Sequence, residues 1–252
     1  MMKSQANPLV FTKLDLVLQR LCDSVQAGYS HVISGEVSPE KAGKLAAKFD
    51  INYQICADKN LRARRKRNGL GNARWITYLK DDTVYWWLLV TPHDSGAHAA
   101  HSCEKLVDVT EANSRLKVEQ FELVKLAYSK PTKPPKPNYK ARTKATRYTW
   151  RMTPESYQNA RDYVIEQVRS QNHQALVRLI YELYSLPGFG EVRSQVGKLV
   201  ALYQNEVKRA GLTNAPKPLE TLRYVRRLPD DGIRLSFLVA RYKEKLAEVV
   251  NG

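Results

Sequence analysis

Six cationic side chains fall within nine residues: Lys59, Arg62, Arg64, Arg65, Lys66 and Arg67, with no acid among them. Lysine offers a compact charge to phosphate, while the arginine fork matches both phosphate oxygens and base edges. Such a run repels itself and cannot be buried unpaired, so an anionic partner is expected. We read it as a solvent-facing loop closed by Asn68-Gly69-Leu70-Gly71-Asn72, whose glycines would let backbone approach a sugar-phosphate chain.

A second basic segment lies at 129–150, with seven basic residues and no acid. Lys133, Lys136, Lys140, Arg142, Lys144 and Arg147 are the predicted contacts there, and Tyr139 offers one ring to a base. Four prolines in the same stretch predict an extended linker. The net charge is +16, and these two segments carry +13 of it. Charge concentrated in this way is the footprint of a protein that neutralises phosphates and releases counterions.

His93, His98 and His101 form the remaining cluster. His98 and His101 are three apart, so one helical face could present both. Either could act as a general base beside an arginine, as in a metal-independent ribonuclease. Asp94, Cys103 and Glu104 lie close by, but no zinc-type spacing appears, and the segment reads first as a turn. No metal is expected. The phosphate-binding, dinucleotide-binding and serine-hydrolase glycine motifs are absent, so no cofactor is expected either. Gly188-Phe189-Gly190 opens a helix whose N–H groups could hold a phosphate; an interhelical turn is the plainer reading. Asp81-Asp82 and Asp230-Asp231 read as turns rather than metal-binding pairs.

The elements that must position these residues follow from periodicity. Leu14, Val17, Leu18, Leu21 and Val25 predict a leading amphipathic helix. Ser38-Pro39-Glu40 predicts a helix start. Arg74–Leu79 and Thr83–Thr91 predict a hairpin, its second strand apolar on both faces and so central. Trp75, Tyr78, Tyr85, Trp86 and Trp87 sit on it without the glycine-aromatic pattern of RNA-stacking sheets, and core packing is expected of them. A short strand near Ile51–Cys56, a short helix over His98–Val107 and a long strand over Leu116–Tyr128 complete this half. Four amphipathic helices follow residue 151. The fold class is therefore α+β: an N-terminal mixed sheet of split βαβ, ferredoxin-like type with a leading helix over 1–128, a basic linker over 129–150, and a C-terminal helical bundle over 151–252.

Hydrophobic residues make up 43%, enough for a real core. No apolar run approaches the roughly 18 residues of a membrane span, and no signal pattern is visible. Cys22, Cys56 and Cys103 are odd in number and far apart, as in a chain whose thiols stay reduced in the cytoplasm. The composite expectation is a cytoplasmic protein that binds RNA or DNA through phosphates, as a subunit of a ribonucleoprotein or DNA-replication complex, with no membrane partner. The alternatives are a metal-independent endoribonuclease and a protein–protein interaction subunit.

Overall fold

A computed structural model describes residues 6–127, 146–219 and 222–251. The chain divides into two compact units, one formed by Met1–Ser114 with Arg227–Gly252 and the other by Arg115–Arg226. Both mix helices with antiparallel strands, so the protein is α+β.

The first unit opens with β1 (Leu9–Val10), α1 (Leu14–Gln26), β2 (His31–Val37), α2 (Pro39–Tyr53) and α3 (Lys59–Arg67). Then come β3 (Ala73–Lys80), β4 (Thr83–Val90), a 3-10 turn at His93–Ser95, α4 (Ala100–Cys103) and β5 (Val107–Asp108). The second unit holds β6 (Lys117–Val118), β7 (Phe121–Ala127), β8 (Thr146–Met152), α5 (Pro154–Ser170), α6 (His173–Ser185) and α7 (Gly190–Arg209). The chain then returns to the first unit with β9 (Ile233–Arg234) and α8 (Leu235–Asn251).

The sheet of the first unit has the order β3-β4-β2-β5 and is antiparallel throughout. Asp81 and Asp82, both at positive φ, make the tight turn between β3 and β4, the conformation that suits the right-handed twist of a hairpin. Val84, Trp86, Leu88 and Val90 of β4 share a face, and Ala42, Ala46, Phe49 and Tyr53 of α2 cover it. Trp87 and Leu89, on the other face, are also buried. On that side α1 packs on β3, the Arg74 guanidinium lies 4.4 Å over the Tyr29 ring, and its Nη1 donates to Ser24 Oγ at 3.2 Å. With both faces covered, Trp75, Trp86 and Trp87 are packing groups rather than platforms for bases.

Five sequence expectations need correction. The last helix belongs to no C-terminal bundle: Leu235 and Leu238 of α8 pack with Ala42, Ala46 and Val10 of the first unit. An amphipathic stripe says that a face is buried, not what buries it. Residues 146–150 are not linker, because Thr146–Met152 pairs in register with Phe121–Ala127, from Phe121↔Met152 to Ala127↔Thr146. The unit boundary accordingly falls at 114/115 and 226/227 rather than around residues 128 and 151. Finally, residues 51–53 continue α2 rather than opening a strand, and the strand expected over Leu116–Tyr128 is two, turned at Glu119, whose φ is positive.

In the second unit Glu122, buried on β7, receives Arg151 Nε at 2.7 Å and lies 3.4 Å from Arg115 Nη1. Gln195 of α7 accepts from Met152 N at 2.7 Å and donates to Met152 O at 3.2 Å, which seats α7 along β8.

Candidate nucleic-acid interface

The basic run is a helix, not a loop. Asp58 caps it, accepting from Leu61 N at 2.7 Å, and four cations stand in its last turn. An anionic cap and a cationic C-terminal turn both suit the helix dipole, which offsets the repulsion among like charges at i,i+3 and i,i+4.

Helical spacing divides the six cations into two sets. Arg62 and Arg65, three apart, face the protein. Arg62 Nη2 donates to Ile55 O at 3.3 Å, and its own carbonyl receives Asn72 Nδ2 at 3.2 Å. Burial lowers the pKa of this guanidinium, while its Nε is buried with no hydrogen-bond partner. Arg65 Nε donates to Gly71 O at 3.0 Å and Nη1 to Gln54 Oε1 at 2.8 Å. Lys59, Arg64, Lys66 and Arg67 are exposed, and none has an ion-pair partner among the described residues. At roughly 100° per residue, these four fan over the outward half of the helix.

The glycines after α3 serve the protein itself. A Cβ on Gly71 would lie 2.7 Å from Gly96 O and 2.9 Å from His98 Cβ. The Leu70 and Ala97 segments pair as a parallel bridge, and Gly71 N donates to Ala97 O at 3.0 Å. Gly69-Leu70-Gly71 is therefore packed against the loop that carries the histidines, rather than open to a sugar-phosphate chain.

His98 is 7% exposed. Its Nδ1 accepts from Ala100 N at 3.2 Å. Burial, with the Arg65 charge second, lowers its pKa. A ring this enclosed, with Nδ1 taken by a backbone N–H, is poorly placed to receive a substrate proton. His101 Nε2 lies 2.9 Å from Thr91 O; a carbonyl only accepts, so this nitrogen donates. The His101 ring stands edge-on to His31 at 5.1 Å and to His93 at 5.7 Å. His31, on β2 and sixty-two positions before His93, carried no signal of this proximity. No group of three or more His, Cys, Asp or Glu side chains among the described residues is placed to hold a metal ion.

Of the second basic segment, Arg147 is exposed on β8. Lys133, Lys136, Lys140, Arg142, Lys144 and Tyr139 lie outside the described residues. Asp230 and Asp231 are ion-paired to Arg20 and Lys13, each below 3 Å. No helix among the described residues is long and apolar enough to cross a membrane.

No family model, curated protein or solved structure matches the chain.

Proposed function

We propose that the chain binds nucleic acid through its phosphates, with Lys59, Arg64, Lys66 and Arg67 of α3 as the central contact set. The observation that carries this reading is the division of labour on α3. Two arginines are bonded to backbone and fix the helix, and that leaves four exposed cations with no ion-pair partner among the described residues. Fixed cations lose less freedom on binding than cations on a loose loop. Phosphate contacts give affinity and orientation but no sequence reading, so the ligand class is RNA or DNA in the broad sense. The basic residues of 129–145 extend the cationic set by charge alone.

The strand order favours the split βαβ, ferredoxin-like assignment for the first sheet. Numbering its four strands β2, β3, β4 and β5 from one to four gives the antiparallel order 4-1-3-2 that this unit would adopt. Here α1 covers the face that such sheets use for stacking, which directs the proposal to α3. Exposed Val177 and Tyr181, one turn apart on α6, support a protein neighbour and thus a place in a larger nucleoprotein complex. Free cysteines are in keeping with a cytoplasmic setting. The enclosure of His98 weighs against the nuclease alternative.

The test is a salt series of binding by fluorescence anisotropy on wild type and on Arg64→Ala/Lys66→Ala/Arg67→Ala. Log affinity should fall linearly with log salt, by about 0.9 per neutralised duplex phosphate or about 0.7 on single strands, and less steeply in the variant. Equal affinity and slope in the two proteins would refute the α3 assignment.

A further inference from the structure

We infer that the open edge of β2 is a self-association surface, where a second copy of this chain lays its own β2 antiparallel to form one continuous sheet. Val109 N donates to Ser30 O at 2.9 Å, and β5 pairs only with His31 and Val32. Backbone groups alternate sides along an antiparallel strand. Ser30 and Val32 therefore face β5, and Ser34 and Glu36 face the same way beyond its end. Ile33, Gly35 and Val37 face β4, which runs in register with all of His31–Val37. The N–H and C=O of Ser34 and of Glu36 have no hydrogen-bond partner among the described residues, and both residues are exposed.

The far edge of the same sheet is treated differently. On β3, Phe11 N donates to Thr77 O at 3.0 Å and Leu79 N to Phe11 O at 2.8 Å, so the chain covers part of that edge itself. Against such cover, β2 holds no proline and no lysine to blunt its edge, and Glu36 is its one acid. A Cβ on Gly35 would meet Trp86 Cζ2 at 2.8 Å. The Trp86 ring therefore lies over the glycine and lends apolar cover to the open strand.

A second copy is the occupant because the strand complements itself in one twofold register. Centred on Gly35, Ser34 of each copy lies opposite Glu36 of the other. Those two hydrogen-bonded pairs use every free backbone group on both strands. Gly35 faces Gly35 in the closer, non-hydrogen-bonded pair, and Ile33 faces Val37, apolar on apolar. Neighbouring registers fail on charge or on hydrogen bonds. Centring on Ser34 sets Glu36 against Val32, whose backbone β5 already holds. Centring on Glu36 sets two carboxylates face to face and Ser34 against Ser38, whose carbonyl already accepts from Ala42 N. Each copy carries a net charge of +16, so the two repel at long range and salt relieves the repulsion.

The experiment measures the mass of the full, nucleic-acid-free chain by analytical ultracentrifugation over a concentration series, at low and at high salt. Wild type should pass from monomer to dimer as concentration rises. High salt should favour the dimer, the reverse of the response expected of nucleic-acid binding. Ser34→Pro removes a free edge N–H and no bond to β4, so it should keep the circular dichroism of wild type and stay monomeric. Ser34→Lys sets a cation opposite Glu36 of the second copy and should tighten the dimer by about two- to thirtyfold, two pairs being formed. Ser34→Glu sets like charges there and should loosen it by a similar factor. Net charge alone gives the opposite order, so this pair of variants reads the register even where Ser34→Pro fails to fold. A wild type that is monomeric throughout, a dimer that persists in folded Ser34→Pro, or the opposite order of the two charge variants would overturn the inference.

Discussion

Arg65 Nε donates to the carbonyl of Gly71 at 3.0 Å, and that residue is buried. One cation of the basic helix is thereby turned inward to hold the chain that follows it. Removing it should leave a buried acceptor unpaired, at a cost of about 1–3 kcal/mol. Arg67, exposed and two positions on, should cost no more than about 0.5 kcal/mol. Urea unfolding of Arg65→Ala and Arg67→Ala measures the difference. Nucleic-acid binding should show the opposite ranking once both proteins are folded, with Arg67→Ala the weaker binder. Equal stabilities would mean that Arg65 is not a structural anchor.

The Gly71–Gly96 contact predicts a second asymmetry. A Cβ on Gly71 would meet backbone at 2.7 Å, which cannot step aside as a flexible side chain can. Gly71→Ala should destabilise by about 1–3 kcal/mol through overpacking. Gly197, inside α7 with nothing within 4 Å of its Cβ position, should behave oppositely. Gly197→Ala should stabilise by about 0.5–1 kcal/mol, since alanine loses less backbone freedom. Thermal or urea denaturation of the two variants distinguishes the cases.

What the sequence made legible were features decided within a few residues. Ser38 caps α2, with Lys41 N donating to its hydroxyl, Pro39 opens that helix, and Asp81-Asp82 turns the hairpin. The apolar run of β4 was readable as a strand covered on both faces because both alternating sets are hydrophobic. Less legible were relationships that depend on distant partners. Residues 146–150 share the charge of the preceding stretch, and only pairing with β7 marks them as strand. The amphipathic α8 has the same pattern whether it packs on α7 or on α2. At the candidate site, charge identified α3, while its helical form was hidden by the low intrinsic stability of a like-charged run. The 62/65 spacing, flanked by Leu61, was a usable signal of an inward face. Nothing local linked His31 to His101.

His98 gives a pH prediction. Burial and the Arg65 charge lower its pKa in the folded protein, so below about pH 6.5 the unfolded chain binds the proton more readily than the folded one. Stability from this group is therefore complete above that value. It is lost as pH falls toward the lowered folded pKa. His98→Asn, which retains a side-chain acceptor for Ala100 N, should be less stable at pH 7.5 but lose less additional stability between pH 7.5 and 5. Unfolding free energies across that range, compared for the two proteins, provide the check. Parallel curves would show that His98 is not the group responsible.

The pairing of β7 with β8 predicts the outcome of limited proteolysis. The sequence between them offers trypsin Lys140, Arg142 and Lys144, whereas Lys130, Lys133 and Lys136 each precede proline and resist cleavage. Cleavage there cuts the chain between strands that remain hydrogen-bonded along seven residue pairs. The downstream fragment also carries α8, whose Leu235 and Leu238 are buried against α2 of the upstream fragment. Each fragment thus holds an element that the other must cover. The two should separate on a denaturing gel yet elute together on native gel filtration, and should part only in denaturant. For the same reason residues 1–128 produced alone should aggregate or unfold, because β7 would present an unpaired edge and α2 a bare apolar face. Adding residues 146–252 during refolding should recover the soluble complex. If the cleaved fragments instead elute as two independent folded species, the exchange of elements between the two halves of the chain is wrong, and the simple division at the basic segment is restored.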